Sequence, residues 1–145
     1  VGFPSETEED IDILLKDLEE IQFDHLGCFI FSPEENTPSF KMKDQIPEKT
    51  KIERYKRVMK LQKKISYKKN KDRINKTYRC LITSYNEETY SYSGISNIFA
   101  ADDIDGHLDI YSSEKLNIGD LVEVKIVNAL VYDLQGEVIA IIRRS

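Results

Sequence analysis

The residues of this 145-residue chain best suited to redox, nucleophilic or metal chemistry are Cys28 and Cys80 and the histidines His25 and His107. The cysteines stand 52 positions apart. That spacing matches no zinc, iron–sulfur or dithiol motif, and it predicts two buried thiols in a reducing, cytoplasmic setting. Neither histidine has a Cys, Asp or Ser at catalytic or metal spacing, so both are expected to be structural. Glu8-Glu9-Asp10 has the form of an acid pair, yet carboxylates at a helix start are favoured by the macrodipole without any chemistry. Asp120, after Gly119, reads as a turn former. No glycine-rich phosphate loop and no nucleophile elbow occurs. What remains is a late acidic cluster, Asp102, Asp103, Asp105, Asp109 and Asp133, with Tyr111 and Tyr132 beside it. It is a candidate docking face for a basic partner, against the plainer reading of a solvated loop with ordinary barrel tyrosines.

Charge divides the chain into three. Residues 1–40 carry eleven acids and one base, residues 41–76 fifteen bases and four acids, and residues 77–145 five bases and eleven acids. The formal total of -5 hides local nets of -10, +11 and -6. Such shifts mark the hand-over between structural units. Hydrophobic residues make up 40%, enough for a modest core. No apolar run of about 18 residues occurs, so no membrane helix is expected. No basic-then-apolar leader follows Val1, so no signal peptide is expected, and the opening reads as the middle of a motif.

The elements that position these residues follow from periodicity. Ser5 with Glu8 fits a capping box, and Ile11, Leu14, Leu15, Leu18 and Ile21 draw one helical stripe. Leu26-Gly27-Cys28-Phe29-Ile30-Phe31 is a continuous apolar run, as in a strand covered on both faces. It stops at the loop from Ser32 to Pro38. Residues 48–72 read as one long helix with a ragged stripe of Ile52, Tyr55, Val58, Met59, Leu61 and Ile65. This basic helix could bind RNA or an acidic surface, or act as a solvated connector neutralising its acidic neighbours. From Lys76 the period changes to two. Strands are expected at Tyr78–Thr83, Tyr90–Gly94, His107–Tyr111, Leu121–Val127 and Gly136–Ile142. Five short strands with regular turns suggest a small antiparallel barrel near the oligonucleotide-binding fold in size.

Several stretches resemble the radical-SAM methylthiotransferases. Val1-Gly2-Phe3-Pro4-Ser5-Glu6-Thr7-Glu8-Glu9-Asp10 resembles that family's G-F-P-G-E-T-E-E-D segment, with Ser5 in place of the second glycine. Phe31-Ser32-Pro33-Glu34-Glu35-Asn36-Thr37-Pro38 is similar to its S-P-E-E-G-T-P loop, with Asn36, which tolerates positive φ, at the glycine. Gln45-Ile46-Pro47-Glu48, Glu53-Arg54, Met59 and Gln62 continue the likeness. The last part resembles the TRAM domain of these enzymes. Asp103-Ile104-Asp105-Gly106, Gly119-Asp120 and Tyr132-Asp133-Leu134-Gln135-Gly136-Glu137 are most like the branch that modifies a small-subunit ribosomal protein.

The resemblance implies an α+β fragment. Residues 1–47 would be the last elements of a radical-SAM, TIM-like barrel, 48–75 a basic connector helix, and 76–145 a five-stranded antiparallel TRAM barrel. It implies a parent enzyme with S-adenosylmethionine and two 4Fe-4S clusters, one on a C-x-x-x-C-x-x-C run. That parent would place a methylthio group on an aspartate β-carbon of small-subunit ribosomal protein twelve. One S-adenosylmethionine would donate the methyl group and another would yield the hydrogen-abstracting radical. Gly2, Phe3, Pro4 and Glu6 would lie near S-adenosylmethionine, the backbone after Phe31 near its adenine. In the plainer reading Gly2 and Pro4 only shape a turn and Glu6 only caps a helix. Two cysteines cannot supply three converging thiolates, so this chain is expected to hold no cluster, to have no catalytic residue of its own and to be inactive alone. Some relatives modify tRNA, and an RNA-binding TRAM module is the alternative. Phosphate contacts need Lys and Arg, and a local net of -6 disfavours tRNA and favours a basic ribosomal protein.

Overall fold

The computed structural model describes residues 1–98 and 106–145. Two compact units, Val1–Ile65 and Ser66–Ser145, divide the chain. In the first, helix α1 spans Glu8–Ile21, a 3-10 turn covers Ser39–Lys41, and helix α2 begins at Glu48 and ends at Asp72 in the second unit.

The cap of α1 is not Ser5 but Thr7. Its hydroxyl accepts the Asp10 N–H at 3.2 Å, and the Asp10 carboxylate accepts the Thr7 N–H at 2.8 Å. Ser5 and Thr7 both have an acid three residues on, so both fit the motif. Ser5 is excluded because its φ is 70°, and its N–H goes to the Asp44 carbonyl at 3.0 Å. Asn36, at the other glycine-like position, takes φ 68° as its residue type allows.

The apolar run Leu26–Phe31 forms no strand. Its backbone meets Val1, whose N-terminal amine donates to Phe29 O at 2.8 Å and whose carbonyl accepts the Phe31 N–H at 2.8 Å, and the Phe31 carbonyl accepts from the Lys51 side chain. Two backbone–backbone hydrogen bonds make one bridge, not a ladder. Phe29 is 84% exposed where a two-faced cover was expected. Residues 1–47 thus contain one helix, one 3-10 turn and no strand, which corrects the expected end of a TIM-like barrel.

The buried stripe of α2 also differs from the expected one. Lys51, Arg54, Val58, Gln62 and Ile65 are buried, whereas Ile52 is exposed. Spacings of three and four still place them on one face. The stripe tolerates polar residues because each finds partners, as set out below.

The second unit is a closed barrel of β1 (Thr77–Asn86), β2 (Ser91–Ile95), β3 (Leu108–Tyr111), β4 (Leu121–Ala129) and β5 (Leu134–Arg143), in the order β1-β2-β3-β5-β4. Along β4 the interior residues alternate as Val122, Val124 and Ile126, each wholly excluded from solvent. Cys80, Ile82, Ile110 and Leu134 complete the core from the other strands. Gly136 lies where a Cβ would come within 2.3 Å of Val124 Cγ1, so only glycine lets β5 close on β4 there. Closure satisfies the strand edges.

The barrel is mixed, not antiparallel throughout: β3 and β5 run parallel, pairing Leu108 with Leu134 and Tyr111 with Glu137. The reason is parity. Strands in a closed ring of five cannot alternate in direction at every step, so an odd ring forces one parallel pair.

Candidate functional site

In the first unit the residues expected near S-adenosylmethionine form a tight turn. Gly2 has φ +84°, and a Cβ there would fall 2.5 Å from Lys51 Cγ. The Gly2 N–H donates to Glu6 Oε1 at 2.8 Å. Phe3 packs edge-on against Phe31 with ring centroids 5.1 Å apart, and Pro4 is buried. Glu6 does not cap α1. Its carboxylate also accepts from Arg54 Nη1 at 2.8 Å.

Arg54 and Lys51 order this turn, and neither belongs to the apolar stripe of α2. The Arg54 guanidinium meets Glu8 at 2.7 Å and the Glu6 carbonyl at 3.0 Å. Arg57 continues the chain of charges to Glu8 at 2.7 Å and to Asp12. The hydrogen bonds from Arg54 and Arg57 hold the Glu8 carboxyl below its usual range. Lys51 donates to the Phe31 carbonyl at 3.0 Å, its ammonium 5.4 Å from the centre of that ring. Gln62 donates to the Phe23 carbonyl at 2.9 Å. Acid–base spacing between α1 and α2 was the available signal: acids at the start of one helix, bases one turn apart in the other.

In the barrel, Asp109 and Asp133 come together around His107. Asp133 Oδ1 accepts the His107 N–H at 3.0 Å, and the His107 carbonyl accepts the Leu134 N–H at 2.9 Å. Asp109 Oδ1 accepts the Ser91 hydroxyl at 3.1 Å and lies 3.4 Å from His107 Nε2. His107 Nε2 is also 3.1 Å from Ser93 Oγ. Tyr111 on β3 is half-buried and Tyr132, in the β4–β5 turn, is exposed. Asp102, Asp103 and Asp105 lie outside the described residues.

Asp120 is wholly buried in the turn before β4. Its carboxylate accepts the backbone N–H of Asn117 at 2.9 Å and of Ser145 at 2.8 Å, with Arg144 Nη1 at 3.1 Å. The two backbone donors first, then Arg144, hold its pKa below the ordinary value. Burial pushes the Cys80 thiol up to about 11 and raises that of Cys28. Both are therefore thiols, not thiolates, at neutral pH. Among the described residues no group of three or more His, Cys, Asp and Glu could hold a metal ion. A chain with two cysteines does not fit an iron–sulfur cluster that needs three thiolates.

The barrel also carries a cleft of about 510 Å³ that the acidic cluster does not include, lined by Tyr85, Tyr90, Tyr92, Ser112, Glu114 and Leu116 among others. Among the described residues no helix is long and apolar enough to cross a membrane.

The family model of the TRAM domain matches residues 74–139. The chain is 44% identical over 140 residues to the ribosomal protein uS12 methylthiotransferase RimO of Geobacter sulfurreducens, covering 97% of this chain and 31% of that protein. It is 45% identical over 138 residues to the RimO of Desulforamulus reducens, and 44% identical over 142 residues to that of Histophilus somni. The chain spans about 31% of the length of these relatives. It carries a TRAM domain, and over nearly all its length it is similar to part of the RimO methylthiotransferases.

Proposed function

We propose that the chain is the TRAM-bearing part of a radical-SAM methylthiotransferase acting on ribosomal protein uS12, and that its barrel docks the protein substrate. The observation that carries this is likeness to uS12 methylthiotransferases along 97% of the chain. Charge supports the choice of substrate. Residues 77–145 hold five bases against eleven acids, which attracts a basic protein and repels a polyanion. In this reading Asp109, Tyr111, Tyr132 and Asp133, with Asp102, Asp103 and Asp105 in the adjoining segment, form the docking face. Gly2, Phe3, Pro4 and Glu6 would shape one wall of the S-adenosylmethionine site. Cluster ligands and the reacting atoms would come from residues outside this sequence, since two cysteines do not make the site. No catalytic step is assigned to this chain.

Two measurements test the reading. The gene upstream of Val1 should encode a C-x-x-x-C-x-x-C run, and its absence removes the enzymatic part. In calorimetric titration the chain should bind purified uS12 more tightly than tRNA, and added salt should weaken that binding. Tighter binding of tRNA would favour the RNA-binding module, with the basic α2 supplying the positive charge.

A further inference from the structure

We infer that the cleft formed by Tyr85, Tyr90 and Tyr92 takes an arginine side chain from the basic protein partner, by stacking of the guanidinium on tyrosine faces. This deepens the docking reading and rests on it for the partner's chemistry. Three features of the cleft support it.

The first is that the tyrosines are brought together by construction of the sheet. A β-bulge between Ile82 and Ser84 shifts the β1–β2 register by one residue and sets Tyr85 opposite Tyr92. Their ring centroids lie 4.7 Å apart at 47°. Tyr92 is anchored by its hydroxyl, which accepts the Leu116 N–H at 3.1 Å. Tyr85 remains exposed, so one ring is fixed and its partner offers a face to solvent.

The second is Tyr90. It ends the turn between β1 and β2 with φ 54°, a left-handed conformation that suits glycine and that a bulky side chain rarely adopts. It is 75% exposed, so core packing does not account for an aromatic residue there. The turn is otherwise well formed: Asn86 Oδ1 accepts the N–H groups of Glu88 and Thr89 at 2.9 and 3.3 Å. A residue that breaks the local rule and contributes little to the fold points to binding.

The third is charge. Glu114 lines the cleft, and Glu87 and Glu88 lie in the turn that carries Tyr90. Among the described residues Lys115 is the one cation that lines the cleft, and Arg144 nearby is engaged by Glu114 at 3.1 Å and Asp120 at 3.1 Å. Three carboxylates, Glu87, Glu88 and Glu114, against two cations, one of them already paired with Glu114, disfavour a phosphate, whereas aromatic faces beside carboxylates suit a guanidinium. The occupant is therefore an arginine rather than a nucleobase.

The test uses the whole 145-residue chain and its Tyr90→Gly, Tyr90→Phe and Tyr85→Leu variants. The probes are a peptide of alternating Gly and Arg, its Lys counterpart and a uridine nonamer, followed by amide chemical shifts. The Arg peptide should move the signals of Tyr85, Tyr90 and Tyr92 and bind more tightly than the Lys peptide. Tyr90→Gly and Tyr85→Leu should each weaken it about two- to five-fold, while Tyr90→Phe keeps it. Tyr90→Gly should leave the urea midpoint unchanged or higher, because glycine relaxes the turn. Equal binding by Tyr90→Gly, no perturbation of the tyrosines, or a stronger response to the uridine nonamer would overturn the inference. The uS12 titration separates the two proposals. Wild-type affinity of Tyr90→Gly for uS12 sinks the cleft alone, and failure of the wild-type chain to bind uS12 sinks the docking reading alone.

Discussion

In the barrel the hydrophobic residues wholly removed from water are Cys80, Ile82, Ile110, Val122, Val124, Ile126 and Leu134, and only Ser91 and Asp120 among the described polar residues there are buried as fully. In Val1–Ile65 the buried face of α2 instead mixes Lys51, Arg54 and Gln62 with Val58 and Ile65, while Ile13, Ile21, Phe23, Phe29 and Phe40 stay exposed. The two units are organised by different forces. Each buried aliphatic side chain contributes about 1.5–3 kcal/mol, without regard to direction or salt. An exposed ion pair contributes about 0–1 kcal/mol and is screened. Burial of Arg54 raises what is at stake, because a desolvated guanidinium left without partners is costly. The barrel is therefore the robust part, and the first unit holds its turn at Gly2–Glu6 through a charge network that Arg54 anchors.

The sharpest way to break this contrast is inside the barrel. Ile126→Ala should cost about 2–5 kcal/mol, from lost transfer energy plus the cavity left. Urea unfolding followed by tyrosine fluorescence reads it, since the chain has eight tyrosines and no tryptophan. An unchanged midpoint would mean that the interior row is not what holds the barrel.

Next in size is Arg54→Ala, which removes the bonds to Glu6 and Glu8. A loss of about 1–3 kcal/mol is expected, confined to the helical signal of the first unit. Far-ultraviolet circular dichroism should show that transition moving to lower urea while the tyrosine transition stays. A shift of both together would show that the two units unfold as one.

The smallest effect is that of pH on Asp120. Its folded pKa is depressed, so its contribution is complete above the unfolded value near 3.8 and is lost as pH falls through the folded value. Asp120→Asn should be less stable than the original chain at pH 7 and converge with it in acid. Urea midpoints measured from neutral pH down to about pH 2 check the convergence. A gap that persists in acid would mean that shape rather than charge matters at this turn. Glu8 and Asp10, also depressed, should add an acid loss of the same sign to the first unit.

Legibility differed between the units for related reasons. Alternation along Leu121–Val127 marks β4 because the side-chain period of two coincides with a barrel's inside and outside. The parallel β3–β5 pair was open to simple arithmetic on five strands, yet periodicity does not report which strands are neighbours. The Leu26–Phe31 run forms no strand despite its apolar sequence, because hydrophobicity announces burial only when something arrives to bury it. The buried stripe of α2 departs from its apolar one because Lys51 and Arg54 count as polar in the sequence, and only the fold supplies Phe31, Glu6 and Glu8 as their partners. The cleft tyrosines carry no local signal at all: a bulge brings Tyr85 opposite Tyr92, and bulges are not written in composition.

By itself the sequence determined the length of α2, the existence of five strands, the acidic character of the barrel and the resemblance to the methylthiotransferases. These depend on near neighbours, on sums over residues, or on motif residues in order. Only the tertiary structure decided which of Ser5 and Thr7 caps α1, which face of α2 is buried, that β3 pairs with β5, and that Asp109 and Asp133 meet at His107. Each of those depends on contacts between residues far apart in the chain, where a single hydrogen bond, such as Ser5 N–H to Asp44, outweighs a local preference.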